Sequence, residues 1–109
     1  MQETGAPSWS EQERGVARRA FDLAYQREVD SLIELVRRRF DALSSVDSVW
    51  ELHDYLSSRR HEMEGRYDFR LPTLLFVFAS LVKDGVLRVE DLEGLSNDKL
   101  AKIAALSRM

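Results

Sequence analysis

Residues 10–43, SEQERGVARRAFDLAYQREVDSLIELVRRRFDAL, decide the fold. Ser10-Glu11-Gln12-Glu13 opens the stretch as a capping box, in which a hydroxyl and a carboxylate three residues on satisfy orphan amides reciprocally. No proline or strong turn signal follows until Ser44-Ser45. Phe21, Ala24, Tyr25, Val29, Leu32, Ile33, Val36, Phe40 and Leu43 recur at helical spacing with charges between them. The pattern predicts one helix of roughly 34 residues, ~50 Å long at ~1.5 Å per residue. The lone Gly15 weakens it slightly near its start.

That length has a consequence. A compact domain of about 100 residues has a radius of gyration of ~13 Å, so a ~50 Å helix overshoots its own domain. Too few residues remain to cover its apolar stripe. A second copy paired about a two-fold axis is the preferred remedy, through Val29, Ile33 and Val36. The alternatives are a break near Gly15 or a fold-back near Arg37-Arg38-Arg39.

Outward from this helix, residues 1–9 read as a loose arm. Asp47 or Ser48 caps a second helix running to about Met63, with Gly65 as its stop. Arg66 to Arg70 read as a linker. Pro72 suits the first turn of a third helix that ends at Lys83-Asp84 before Gly85. That helix is apolar nearly all round and is expected at the centre of a small head. A helical turn over Val89–Glu93 and a last helix from Ser96 to about Ser107 complete it. No alternating strand pattern or internal repeat is present. The fold class is all-α, a single domain over residues 1–109: the long and second helices (10–64) form the dimerising region, and residues 65–109 form a helical head.

Composition excludes several function classes. Net charge is −3 with both signs interspersed, which does not make a nucleic-acid stripe. Arg37-Arg38-Arg39 spread over ~200° of a helix and form no single face. The absence of cysteine removes disulfides, thiolate nucleophiles and cysteine-ligated zinc. The first residues carry no signal-peptide pattern, and the longest apolar run falls well short of the ~20 residues a membrane span needs. A soluble, cytoplasmic protein is expected.

Catalytic motifs are missing too. His61-Glu62 lacks the second histidine of a zinc-protease helix, and no metal site or cofactor is expected. Ser57, His53 and Asp54 do not make a triad, because adjacent helix residues point ~100° apart. Glu90, Asp91 and Glu93 read as a solvated face, and Lys99 and Lys102 as ordinary solvated charges. An enzyme is not expected. The second helix is more informative. Val49, Leu52, His53, Leu56, Arg60 and Met63 share one face, and Trp50, Asp54, Ser57 and His61 the stripe beside it. A core reading accounts for His53 as well as a functional one does. Arg60 in an apolar face requires an acidic partner. Asp54 is the nearest candidate, yet it lies ~120° away around the same helix, so an Asp54–Arg60 pair is easier between two chains than within one. Trp50 reads as an interface aromatic or a binding hot spot. For Phe76 and Phe78, core is the default.

The string Trp50-x-Leu-His53-Asp54-x-Leu-Ser-x-Arg59-Arg60-His61-Glu62 resembles the cyanobacterial fluorescence recovery protein family. The resemblance extends to Trp9, to Phe76-Val-Phe78-Ala-x-Leu-Val-Lys83-Asp-Gly85 and to Asp98-Lys99-Leu-Ala-Lys102-Ile-x-Ala-Leu106. It implies an all-helical homodimer, with higher oligomers open, no catalysis and no cofactor. Its implied partner is the photoactivated, red form of the orange carotenoid protein, gripped mainly by the C-terminal domain. The implied effect is faster return to the orange form and release from the phycobilisome, ending energy quenching, at the cytoplasmic face of the thylakoid membrane. Carried over by position, Trp50, His53, Asp54 and Arg60 match a patch near the dimer interface, and Phe76 and Lys102 match partner contacts in the head. The competing reading is a helical dimeric interaction module with a different protein partner.

Overall fold

Ser10 opens the first helix with a reciprocal cap: its hydroxyl accepts the Glu13 amide at 3.0 Å, and the Glu13 carboxylate accepts the Ser10 amide at 3.1 Å. The computed structural model describes residues 8–109 and contains four α-helices: α1 (Glu11–Asp41), α2 (Val46–Arg66), α3 (Leu74–Lys83) and α4 (Asn97–Ser107). Short 3-10 turns lie at Leu71–Thr73 and Val89–Leu92. Helix α1 runs unbroken through Gly15 and Arg37-Arg38-Arg39, which removes the break and the fold-back. Its 31 residues fall slightly short of the expected length, ending at Asp41.

The second helix differs at both ends from its sequence reading. Ser45 is the cap, because Ser48 sits at the third helical position and returns the bond to the Ser45 amide at 3.1 Å. At the other end α2 passes through Gly65 to Arg66. Gly65 keeps a negative φ; among the described residues the glycines with positive φ are Gly85 and Gly94. Gly85 stops α3 as expected. Its amide reaches Val82 O at 3.1 Å and the Val86 amide reaches Leu81 O at 2.9 Å, the paired bonds of a Schellman cap. Pro72 lies in the 3-10 turn, and α3 proper begins at Leu74.

The core lies at one end of the molecule. Val16, Ala17, Ala20, Phe21 and Ala24 of α1 pack against Leu74, Leu75, Phe78 and Leu81 of α3 and Ile103 of α4, with Leu87, Leu92 and Leu95 between. Small residues on α1 leave room for the turn at Val89–Leu92 to approach, and Phe78, Leu74 and Leu81 of α3 fill the core beside it. Residues 1–7 of the expected loose arm lie outside the described residues, but Trp9 does not behave as arm. It is 8% exposed and belongs to the core, lying 4.9 Å beneath the Lys99 ammonium.

From Val29 onward α1 buries no apolar residue. Ile33, Phe40, Val46, Val49 and Trp50 are all exposed in the chain. The molecule measures 62 × 24 × 24 Å, with a radius of gyration of 17.2 Å against the ~13 Å of a compact domain this size. The long helix therefore does overshoot the core, and the outer half of its apolar stripe is at most half-buried within the chain.

Candidate functional site

Two exposed patches carry the residues singled out in the sequence. On α2, Trp50 is 57% exposed, and its ring stands edge-on to His53 at 6.4 Å. His53 is no core histidine: its side chain is exposed, and Nδ1 lies 3.3 Å from the equally exposed Asp54 carboxylate. Exposed side chains have the freedom to swing together, which the fixed angle between adjacent Cα–Cβ bonds does not capture. Arg60 is exposed as well. It donates from Nε to Glu64 one turn on, at 2.9 Å, so its acidic partner within the chain is Glu64 rather than Asp54. Asp54 and Arg60 do not meet within one chain. Below Arg60, Tyr25, Val29, Leu32 and Met63 line a groove of about 420 Å³ between α1 and α2. Among the expected interface residues of α1, Ile33 is exposed and Val29 and Val36 are half-buried.

The second patch lies over the core. Phe76 is 62% exposed, although α3 buries Leu74, Leu75, Phe78, Ala79 and Leu81. A helix apolar all round has one face too many for a core on one side, and Phe76 occupies it. Lys102 is exposed on α4, the helix packed against α3, and borders a cleft with Leu75, Asp98 and Lys99.

Sequence reasoning missed the charges that hold these patches in place. Glu28 is buried at the end of the apolar stripe of α1. It accepts Arg59 at 2.9 Å, Arg66 at 3.0 Å and the Tyr67 hydroxyl at 2.6 Å. Burial opposes its ionisation, but the Tyr67 and Arg59 hydrogen bonds and the Arg66 charge outweigh burial and hold its carboxyl below the usual range. The same burial, with Glu28 alongside, pushes the Tyr67 hydroxyl up. The Tyr67 ring stands edge-on to Phe21 and Tyr25 at 5.3 and 5.1 Å. The available signal was spacing: Glu28 follows Phe21 and Ala24 at the intervals of the buried face.

Lys99 is likewise a buried charge rather than a solvated one, 3.2 Å from Glu13. The Ser10 amide bond, followed by the Ser96 amide and the Lys99 ammonium, lowers the Glu13 carboxyl to about 2. Asp91 also leaves the expected solvated run: Arg27 bonds it at 2.9 Å and also reaches Val86 O at 2.8 Å. That bond and the Arg88 amide lower the Asp91 carboxyl. Among the described residues no group of His, Cys, Asp and Glu is arranged to hold a metal ion, and no helix is long and apolar enough to cross a membrane. The arrangement offers exposed aromatic and charged contact surface, which suits recognition of another macromolecule.

Known proteins match this chain along nearly its whole length. The family model for the photoprotection regulator fluorescence recovery protein matches residues 9–107. The fluorescence recovery protein of Synechocystis sp. is 42% identical over 109 residues, covering all of both chains. The solved Fremyella diplosiphon fluorescence recovery protein superposes with a TM-score of 0.91 at 48% identity, covering 94% of this chain and all of that one. The solved Synechocystis sp PCC 6803 protein superposes with a TM-score of 0.90 at 43% identity, with the same coverage. The chain belongs to the fluorescence recovery protein family, whose members are non-enzymatic regulators of photoprotection.

Proposed function

We propose that the protein binds the photoactivated orange carotenoid protein, mainly through that partner's C-terminal domain, and speeds its return to the orange form. It thereby promotes detachment from the phycobilisome and ends quenching, on the cytoplasmic side of the thylakoid membrane. It acts as a homodimer paired through Val29, Ile33 and Val36 of α1 and Trp50, Asp54 and Arg60 of α2. The observation that carries this reading is the pair of exposed patches, Trp50, His53, Asp54 and Arg60 on the arm and Phe76 and Lys102 over the core. Family membership supplies the partner.

Acceleration needs differential affinity. A protein that gripped the open and compact partner equally would shift neither population nor rate. The chain must therefore hold one domain of the open form while presenting a surface that favours docking of the other. A frame with two separated contact patches meets that requirement without any bond chemistry.

The test is recovery of orange absorbance in darkness, with and without the protein, at two ionic strengths. Lys102→Glu and Phe76→Ser change exposed side chains, so stability should stay within about 0.5 kcal/mol of the native protein. Acceleration should nonetheless drop in both, and the Lys102→Glu deficit should shrink as salt rises. Unchanged acceleration in both variants would remove the α3–α4 patch from the contact. No acceleration by the native protein, with a matched partner, would remove the reading itself.

A further inference from the structure

Helix α2 carries one contact patch, and the body formed by α1, α3 and α4 carries the other. What fixes one relative to the other is a question of side chains, because the α1 and α2 backbones scarcely approach each other. Arg39 stacks over Tyr55 at 5.3 Å near the far end, and Met63 is buried near the body. Glu28 lies at the level of Met63, bonded through one carboxylate oxygen to Arg59 and through the other to Arg66 and Tyr67.

The ion pairs divide in an informative way. Arg59 has a second carboxylate on its own helix, Glu62 at 2.8 Å. Arg66 has a second carboxylate in Asp84, beyond α3. Removing the Glu28 charge therefore leaves neither guanidinium without a carboxylate. What it removes is the bridge to α1. Arg59 precedes the patch residue Arg60, and Trp50 lies about 14 Å along the helix from Arg59 at ~1.5 Å per residue. A tilt of about 10° at Arg59 would displace Trp50 by about 2 Å on that lever.

We infer that Glu28 is a positioning residue for the recovery reaction, fixing the α2 patch relative to the Phe76–Lys102 patch while touching no partner itself. The inference rests on the function proposed above. Displacement of a positioned group by an ångström or two is enough to cost rate heavily without abolishing binding.

The chain contains no cysteine, so spin labels can be placed at Ser57→Cys on α2 and Ala105→Cys on α4, both exposed positions. Diluted into unlabelled protein, the pair reports the distance between arm and body with no partner present. The native protein should give one narrow distribution, and Glu28→Gln a broad or shifted one at unchanged helix content. In the recovery assay, Glu28→Gln should lower the saturating acceleration roughly five- to tenfold. The concentration for half-maximal effect should move far less. Should Glu28→Gln fail to fold, Tyr67→Phe removes one donor to Glu28 and keeps the ring against Phe21 and Tyr25. It should broaden the distribution and lower the ceiling in the same sense. An unchanged distance distribution, or a native ceiling despite a broadened one, would overturn the assignment. Failure of the native protein to accelerate recovery would instead overturn the function, and the distance measurement would still decide whether Glu28 fixes the arm.

Discussion

Buried Lys99 of α4 forms an ion pair with half-buried Glu13 in the first turn of α1, Nζ to Oε1 at 3.2 Å, across 86 residues of sequence. Glu13 is at once the helix cap of Ser10, the acceptor of the Ser96 amide and the anion for Lys99. One side chain thus starts the long helix and joins it to the start of the last.

Lys99→Met keeps an apolar stem but removes the ammonium over Trp9 and leaves Glu13 with amide donors alone. We expect a loss of ~1–3 kcal/mol in denaturant unfolding, the cost of leaving a partly buried group without its partner. Lys102→Met, three residues on and exposed, should leave the midpoint unmoved.

Acid stability follows from the lowered carboxyls. Glu13 falls from its ordinary 4.5 to about 2, and Glu28 and Asp91 are shifted in the same direction. The unfolded chain then binds more protons than the folded one in this range, so stability rises with pH. The Glu13 contribution is complete above about 4.5 and is lost as pH falls toward about 2. Thermal midpoints should be governed by these groups only below about pH 5, and Glu13→Gln should flatten that acid slope.

Two glycines should respond oppositely to alanine. Gly94 has φ +114°, and a Cβ there would stand 2.7 Å from Val16 Cγ2. Val16 is buried and branched, so it has little room to yield. Gly94→Ala should cost ~1–3 kcal/mol. Gly65 is helical with nothing within 4 Å, and Gly65→Ala should stabilise by ~0.5–1 kcal/mol. Calorimetry on the two variants gives both signs.

Dimerisation is tested at Ile33, which is exposed in the single chain. Ile33→Glu would bury a charge against its symmetry mate, a cost of several kcal/mol, on the order of 3–5, and should yield monomer in light scattering. Asp54→Arg and Arg60→Asp should each weaken the pair, and the double reversal should recover much of the loss. Additive effects in that cycle would mean that the two residues do not meet between chains.

Periodicity carried α1, whose apolar positions answer to spacing, whereas α3, apolar nearly all round, was bounded by Pro72 and Gly85. Caps were less legible: Asp47, Ser48 and Ser45 are all good cap residues, and the Ser45–Ser48 reciprocal bonds decided among them. Gly65 reads as a stop, yet Arg66 is held by Glu28 and Asp84, which carries the helix one residue further. Trp9 looked like arm because one aromatic has no period; the surface that covers it comes from α4. Glu28 was legible only through its spacing on the buried face of α1, whereas Lys99 and Asp91 were illegible. A charge has the same letter whether water or a distant guanidinium faces it. Trp50 was legible as an interface or hot-spot aromatic, while Phe76 and Lys102 were found through resemblance, since exposure on an amphipathic helix is not a chemical signature.

The 62 × 24 × 24 Å outline has a hydrodynamic consequence. A rod drags more solvent than a sphere of equal mass, so this chain should leave a sizing column ahead of globular standards of its own 12.6 kDa. Early elution alone would mimic self-association. Scattering mass and elution volume must be read together, and their disagreement would measure how far the arm reaches beyond the core.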